Sequence, residues 1–223
     1  AYTAVEIDFF CRLTRKPAEW VLGELRQAGL DVLPGGGAEV FSERVRHELF
    51  PRKIGARRWL EIHELAHTMG IKSNSTLLYG HIETAEEMVR HLLHIRELQD
   101  ETGGFTAFIP WPYQPGQDTL PAPPAGSTIY LRLLAISRLV LDNFLHIQAS
   151  WVTQGPHIGQ VALHFGADDL GSTMIEENVV AAAGVSHRLS REEMVRLIET
   201  AGFRARQRNT SYQAVEPVHE GRP

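Results

Sequence analysis

Three times in succession, a stretch of helical periodicity gives way directly to a short strand-type run, and no other feature constrains the fold so strongly. Residues 57–69 lead through Gly70 into 71–79, 85–101 lead through Gly103-Gly104 into 105–111, and 128–144 lead into 146–152. Helix and strand alternating in series place the strands parallel, because each helix carries the chain back to the same starting edge. A fourth repeat, 156–165, passes through Gly166 into 168–174. Ahead of the series, two helix-period stretches, 5–13 and 17–28, stop at Gly29 before a short strand at 31–33. Helical stretches at 176–183 and 190–201 close the chain. Five strands are expected.

Parallel strands with helical crossovers make either an open doubly wound sheet or a barrel. Here glycines and polar residues gather just after nearly every strand, at 35–39, 80–83, 113–114, 153–155 and 168–173. Such a ring of loops at strand C-termini is the working face of a barrel. Five or six units in 223 residues fall short of eight. The expectation is therefore an α/β fold, a partial (β/α)8 TIM-type barrel lacking its first strands. Residues 1–223 then form one domain, with a final helical segment at 184–213. The stretch 112–126 holds five prolines and reads as a substrate-side loop or a surface insertion.

A net charge of -5 and a pI near 6.1 give no basic footprint for nucleic acid or an anionic membrane surface. No apolar run approaches the roughly 18 residues of a spanning helix, and no secretory leader opens the chain. A cytoplasmic protein acting on small molecules is expected. The single cysteine, Cys11, excludes an intrachain disulfide and any multi-cysteine metal motif within these residues. The chain opens on Ala1 and runs straight into a periodic segment, from which an upstream portion is expected.

Four local motifs bear on chemistry. His63-Glu64-Leu65-Ala66-His67 fits the H-E-x-x-H pattern that can share a zinc on one helix face, with Glu83, Glu86 or Glu87 as a conceivable third ligand. Its helix runs directly into a strand, however, so the expectation is a crossover helix with these polar residues on its outer face and no bound metal. Pro34-Gly35-Gly36-Gly37-Ala38-Glu39 lacks a P-loop's Lys-Ser/Thr ending. A glycine turn ending in a carboxylate suits ribose hydroxyls better than phosphate, since Glu accepts from a diol and repels an anion; a tight structural turn is the other reading. Tyr79-Gly80-His81-Ile82-Glu83 offers donors and acceptors at the next strand's end. In 150–156, SWVTQGP, neutral donors precede a Gly-Pro helix start where a carboxylate could bind, and Asp168-Asp169 with Glu176-Glu177 make the final loop acidic.

Taken together, these segments resemble the radical S-adenosylmethionine (SAM) enzymes of menaquinone biosynthesis by the futalosine route, relatives of the deazaflavin-cofactor synthase. The resemblance lies in TAVEI at 3–7, LPGGGAE at 33–39, YGHIET at 79–84, RELQDETGGF at 96–105, 141–144, SWVTQGP at 150–156 and 165–178. It implies a TIM-type barrel that uses SAM and a 4Fe-4S cluster, an electron donor such as flavodoxin or ferredoxin, and a nucleoside or benzoate substrate. Two activities in the family compete. TAVEI, PGGGAEVF and SNSTLLYGHIET resemble aminofutalosine synthase, which adds the adenosyl radical to a carboxyvinyloxy-benzoate. GFTAFIPW, QASWVTQGP and GSTMIEENVV resemble cyclic dehypoxanthine futalosine synthase and favour the cyclase, because they supply most of the substrate side.

The resemblance further implies Gly35, Gly36, Gly37 and Glu39 at the SAM ribose and methionine end, and Tyr79, His81 and Glu83 at the adenosyl group or substrate nucleoside. It places Glu6, Tyr113, Gln114, Gln154, Asp169, Thr173 and Glu177 on the substrate side. No single residue is singled out as the general base. The family's Cys-x3-Cys-x2-Cys loop is absent, and Cys11 cannot replace three thiolates. These residues alone are therefore expected to be inactive, and a degenerate nucleoside-binding barrel is the reading from another class.

Overall fold

In a computed structural model, residues 2–115, 120, 122, 125–173 and 187–215 are described. Two helices, α1 (Ala4–Thr14) and α2 (Ala18–Gln27), precede β1 (Val32–Leu33). A short α3 (Glu43–Leu49) and α4 (Ala56–Thr68) lead to β2 (Lys72–Tyr79); α5 (Ala85–Thr102) leads to β3 (Phe105–Pro112) and α6 (Ser127–Val140) to β4 (His146–Ile147). Then come α7 (Trp151–Gln154), α8 (Pro156–Ala162) with a 3-10 turn, and α9 (Arg191–Thr200).

Local chemistry fixes the helix ends. α1, α5 and α9 each open on a reciprocal capping box, Thr3 with Glu6, Thr84 with Glu87 and Ser190 with Glu193, which satisfies backbone donors that a helix start leaves unpaired. α5 stops where Gly103 turns left-handed at φ 56°, a conformation that costs glycine nothing.

Among the described residues four strands are parallel and ordered β1-β2-β3-β4. The order follows the sequence without the reversal that marks a doubly wound sheet. A parallel bridge between Gln148 and Asp169 carries the pairing one step further. Along β2 the side chains of Ser73, Ser75, Leu77 and Tyr79 are buried, and those between them are not fully covered. The covered face lies against α4 and α5, where Trp59, Ile62, Leu92, Ile95, Phe105 and Phe108 form the centre of the core. Because all strands run one way, the loops after β1, β2, β3 and β4 emerge at a single end.

The expected strand over 146–152 is shorter. It is paired only at His146–Ile147, and residues 151–154 are helical. Ser150 causes the change: its NH donates to the Tyr130 hydroxyl at 2.8 Å and its hydroxyl to the Pro110 carbonyl, while its own carbonyl accepts from the NH groups of Thr153 and Gln154. The backbone is thereby drawn out of the ladder, and Trp151 packs as a helical residue with Nε1 donating to Leu170 O at 2.7 Å. Of the strand expected at 168–174, the described part makes the single bridge at Asp169. The helix expected at 176–183 lies outside the described residues. Among the described residues of the final segment, Arg191–Thr200 is the part that is helical; Gly202, at φ 87°, follows its end, and an antiparallel bridge joins Arg208 to Ala214. Helix α3, seven residues behind the Ser42 cap, was not anticipated, being too short to show a period. Among the described residues no helix is long and apolar enough to cross a membrane.

Candidate functional site

The β1 loop is built by close backbone approach. A Cβ on Gly35 would fall 2.4 Å from the Asn74 carbonyl oxygen, and one on Gly37, at φ 85°, would fall 2.4 Å from Val5 Cγ2. These two glycines thus have a packing reason of their own. Gly35 NH donates to Asn74 Oδ1 at 2.6 Å, and the Gly35 carbonyl accepts from Thr76 Oγ1 at 2.9 Å, which fastens the loop along β2. The Gly36 carbonyl accepts from Trp59 Nε1.

Glu39, two residues on, adopts the left-handed region at φ 49°, costly for a residue with a Cβ. Its carbonyl accepts from Leu78 NH at 2.8 Å and its Oε1 is paired with Lys53 Nζ. Lys53 follows α3, and nothing in the sequence pattern marked it. Glu6 lies on the same side as Lys53 but is engaged in the α1 cap, where its Oε2 accepts from Thr3 NH at 2.7 Å and from the Thr3 hydroxyl. Burial pushes the Glu6 carboxyl up, but the bonds from Thr3 and the charge of Lys53 outweigh it and hold the group below its usual range.

The β2 loop is organised by Glu83. Its two oxygens accept from Gly80 NH at 2.5 Å and His81 NH at 2.8 Å, and Oε2 lies 3.0 Å from His81 Nδ1. The His81 ring also accepts from Ile82 NH at 2.8 Å and packs edge-on to Phe50 and Tyr113. Both side chains are almost fully covered, so they shape the turn. Tyr79 lies on the helix-facing side of β2 with its hydroxyl buried and unpartnered. Burial, and then the neighbouring Tyr130 and Glu83, hold that phenol well above its usual pKa.

On the next loops, Tyr113 NH donates to the Tyr79 carbonyl at 2.7 Å and its hydroxyl reaches Leu120 O. Gln114 bonds back to Pro112 O, and Gln154, the last residue of α7, reaches Ala125 O at 3.5 Å. The structure therefore gathers Glu39, His81, Glu83, Tyr113, Gln114 and Gln154 at the sheet's C-terminal end. Asp169 is committed elsewhere: its Oδ2 accepts from Arg208 Nε at 3.1 Å and the Tyr212 hydroxyl at 3.0 Å, and its Oδ1 from Gly171 NH. Arg208 and Tyr212 carried no motif. Thr173 is exposed, and Glu177 lies outside the described residues.

The two histidines expected on the outer face of α4 face inward instead. His63 and His67 are buried against β2, while Glu64 of the same pattern is exposed. At i and i+4 the imidazoles share one helix face, and that face is the one that packs on the sheet. Ser73 Oγ serves both rings. Burial holds His67 down at about 4 and His63 well below its ordinary value, each with a smaller contribution from a neighbouring cation or imidazole. Among the described residues no three ligands converge on a point.

The family model for the CofH/MqnC C-terminal region matches residues 102–220. The chain is 47% identical over 211 residues to the cyclic dehypoxanthine futalosine synthase of Streptomyces coelicolor, covering 94% of this chain and 53% of that protein. It is 46% identical over 223 residues to the aminodeoxyfutalosine synthase of Thermus thermophilus, covering 96% and 60%. A 5-amino-6-(D-ribitylamino)uracil–L-tyrosine 4-hydroxyphenyl transferase of Methanosarcina barkeri is 40% identical over 228 residues, covering 98% and 59%. The chain thus spans between half and three-fifths of the length of these relatives.

Proposed function

Since this chain belongs to the CofH/MqnC family, we propose that it forms the substrate-side portion of a radical SAM enzyme of futalosine-dependent menaquinone biosynthesis, within a TIM-type barrel. The activity we assign is cyclisation of dehypoxanthine futalosine. The observation that carries it is the 47% identity to a cyclic dehypoxanthine futalosine synthase across 94% of the chain. The residues from β3 onward include GFTAFIPW and QASWVTQGP, which resemble the cyclase. The second reading, aminofutalosine synthase, is favoured by the β1 and β2 loop motifs and by 46% identity to the Thermus enzyme.

The β1 loop suits the nucleoside end of SAM. Lys53 takes Glu39 Oε1, and Oε2 has no protein partner among the described residues, so it can accept from a ribose hydroxyl. Gly35, Gly36 and Gly37 would line that end by backbone alone. His81 and Glu83 hold the β2 turn against the adenosyl side, with Tyr79 beneath it. Tyr113, Gln114 and Gln154 would orient the substrate; Glu6, Asp169, Thr173 and Glu177 are substrate-side candidates by the family resemblance alone, and Glu177 lies outside the described residues. When bound, SAM supplies the 5′-deoxyadenosyl radical. The residues present do not fit a 4Fe-4S cluster: Cys11 is the sole cysteine and is buried on α1. The cluster and its electron donor, a flavodoxin or ferredoxin, belong to the whole protein.

The test uses the protein expressed from its complete gene and reconstituted anaerobically with iron, sulfide and a reductant. Dehypoxanthine futalosine should drive SAM cleavage to methionine and 5′-deoxyadenosine and give a cyclised product that retains every carbon. Consumption of carboxyvinyloxy-benzoate, with the adenosyl group incorporated and carbon dioxide released, would establish the second reading. SAM cleavage with neither substrate would remove both.

A further inference from the structure

Resting on that reading of the β1 loop, we propose that Lys53 is a positioning residue that fixes the Glu39 carboxylate for the hydroxyls of a nucleoside. The first ground is conformational. Glu39 occupies a left-handed conformation that is unfavourable for a residue with a Cβ, and such a conformation persists only where its surroundings over-determine it. The Leu78 NH fixes the Glu39 backbone at 2.8 Å. Lys53 is the partner of its side chain.

The second ground is how Lys53 is itself delivered. Its NH donates to the Phe50 carbonyl at 2.9 Å, closing a turn, and its carbonyl accepts from Arg46 Nη1 at 3.4 Å, with Arg46 bound in turn to Glu43. The ammonium sits 5.3 Å over the Phe50 ring, a cation–π contact, and the same ring meets His81 edge-on at 6.0 Å. Helix α3 and the turn after it therefore tie the β1 loop to the β2 loop through Lys53 and Phe50 together. A merely solvated surface lysine would not be held at both backbone ends and at its ammonium.

The third ground is the geometry left for a ligand. The cavity behind the pair, lined by Gly37, Glu39, Ser42, Arg46, Phe50 and Lys53, measures ≈ 10 Å³, the room of about one water. A nucleoside cannot enter there. The oxygen of Glu39 left for a ligand hydroxyl is Oε2, which has no protein partner among the described residues. With Oε1 held by Lys53, the carboxylate presents a single oriented oxygen, and a hydroxyl donating to it makes a charge-assisted bond.

The experiment measures nucleoside binding by calorimetry on the protein from its complete gene, so that no turnover is needed. Adenosine is the probe and 2′,3′-dideoxyadenosine, which lacks the diol, is its control. Lys53→Met should weaken adenosine about tenfold, the loss of one charge-assisted contact, and leave the dideoxy control unchanged. Lys53→Arg should restore most of it. In a Glu39→Gln background, Lys53→Met should have no further effect, which a general loss of folding would not reproduce. In turnover the same variant should raise KM for SAM more than it lowers kcat. Unchanged adenosine binding in Lys53→Met, or equal losses for both probes, overturns this inference while leaving the assigned activity standing. Effects of Lys53→Met and Glu39→Gln that add do the same. Wild-type protein that neither binds adenosine nor cleaves SAM overturns the inference together with the function it rests on.

Discussion

His67 Nε2 lies 2.7 Å from Ser73 Oγ, and a count of protons along this contact fixes the state of both histidines on α4. The Thr102 hydroxyl donates to Leu98 O at 2.8 Å, so its oxygen accepts from His67 Nδ1. His67 Nε2 is then bare and takes the Ser73 proton. Ser73 Oγ is left to accept from His63 Nδ1 at 2.9 Å, and His63 Nε2 ends the chain as a buried acceptor without a partner. Every member is neutral, and a proton added at His67 Nε2 would reverse the bond to Ser73 and leave the serine hydroxyl proton without its acceptor.

Acid should therefore destabilise this protein before its carboxylates titrate. His67 is held at about 4 and His91, buried in the same layer, at about 3, against an ordinary 6.5. The unfolded chain thus binds protons that the folded chain does not. Stability is complete above pH 6.5 and falls as the pH drops from there through the depressed values. His67 alone accounts for about 3 kcal/mol by pH 4. Urea unfolding at pH 7 and pH 5 should show the decline, and His67→Gln should flatten it; an equal slope in that variant would mean that His67 does not titrate on unfolding.

A second consequence of the same packing concerns Gly104. A Cβ built there would lie 1.9 Å from His67 Cγ, with the buried imidazole hemmed in by Phe105 at 4.7 Å. Gly104→Ala should cost about 1–3 kcal/mol, the usual range for an overpacked core. The loss should be smaller when measured in a His67→Ala background, where the ring is gone. Denaturation of the four proteins of that cycle checks it, and additive losses would show that the strain arises elsewhere.

Periodicity carried the reading of the large elements. Helices α4, α5 and α6 bury one face at i, i+3 and i+4, and β2 and β3 follow glycine stops, so their existence and parallel order were legible. What the sequence did not disclose depends on contacts between distant residues. His63 and His67 look like an ordinary polar pair on a crossover helix, and only the Ser73 hydroxyl, ten and six residues away, makes it favourable to bury them. Residues 151–152 look like strand because Trp and Val suit one, but Ser150 is claimed by Tyr130 and Pro110. Lys53 is invisible because a lysine in a turn carries no pattern, and Glu39 was found only because it ends a glycine run.

The Asp169–Arg208 pair tests how the end of the described chain is held. Arg208 donates to Asp169 Oδ2 through Nε and Nη2, the Tyr212 hydroxyl donates to the same oxygen at 3.0 Å, and the Tyr212 ring stacks on His146 at 4.2 Å. The guanidinium lies 3.9 Å over that ring, so one arginine binds both the acid and the aromatic that hold the segment to the sheet. The Asp169 side chain is only 11% exposed, so loss of its cation leaves a poorly solvated charge. Arg208→Ala should free the segment around residues 203–215, and trypsin should then cut after Arg204 and Arg206 several times faster than in the wild type, read by mass spectrometry under native conditions. Asp169→Asn should release it less, because the amide oxygen still accepts from both partners. In an Asp169→Asn background, Arg208→Ala should add little. Cleavage rates equal to wild type in Arg208→Ala would show that the stacking of Tyr212 on His146 holds the segment without the ion pair.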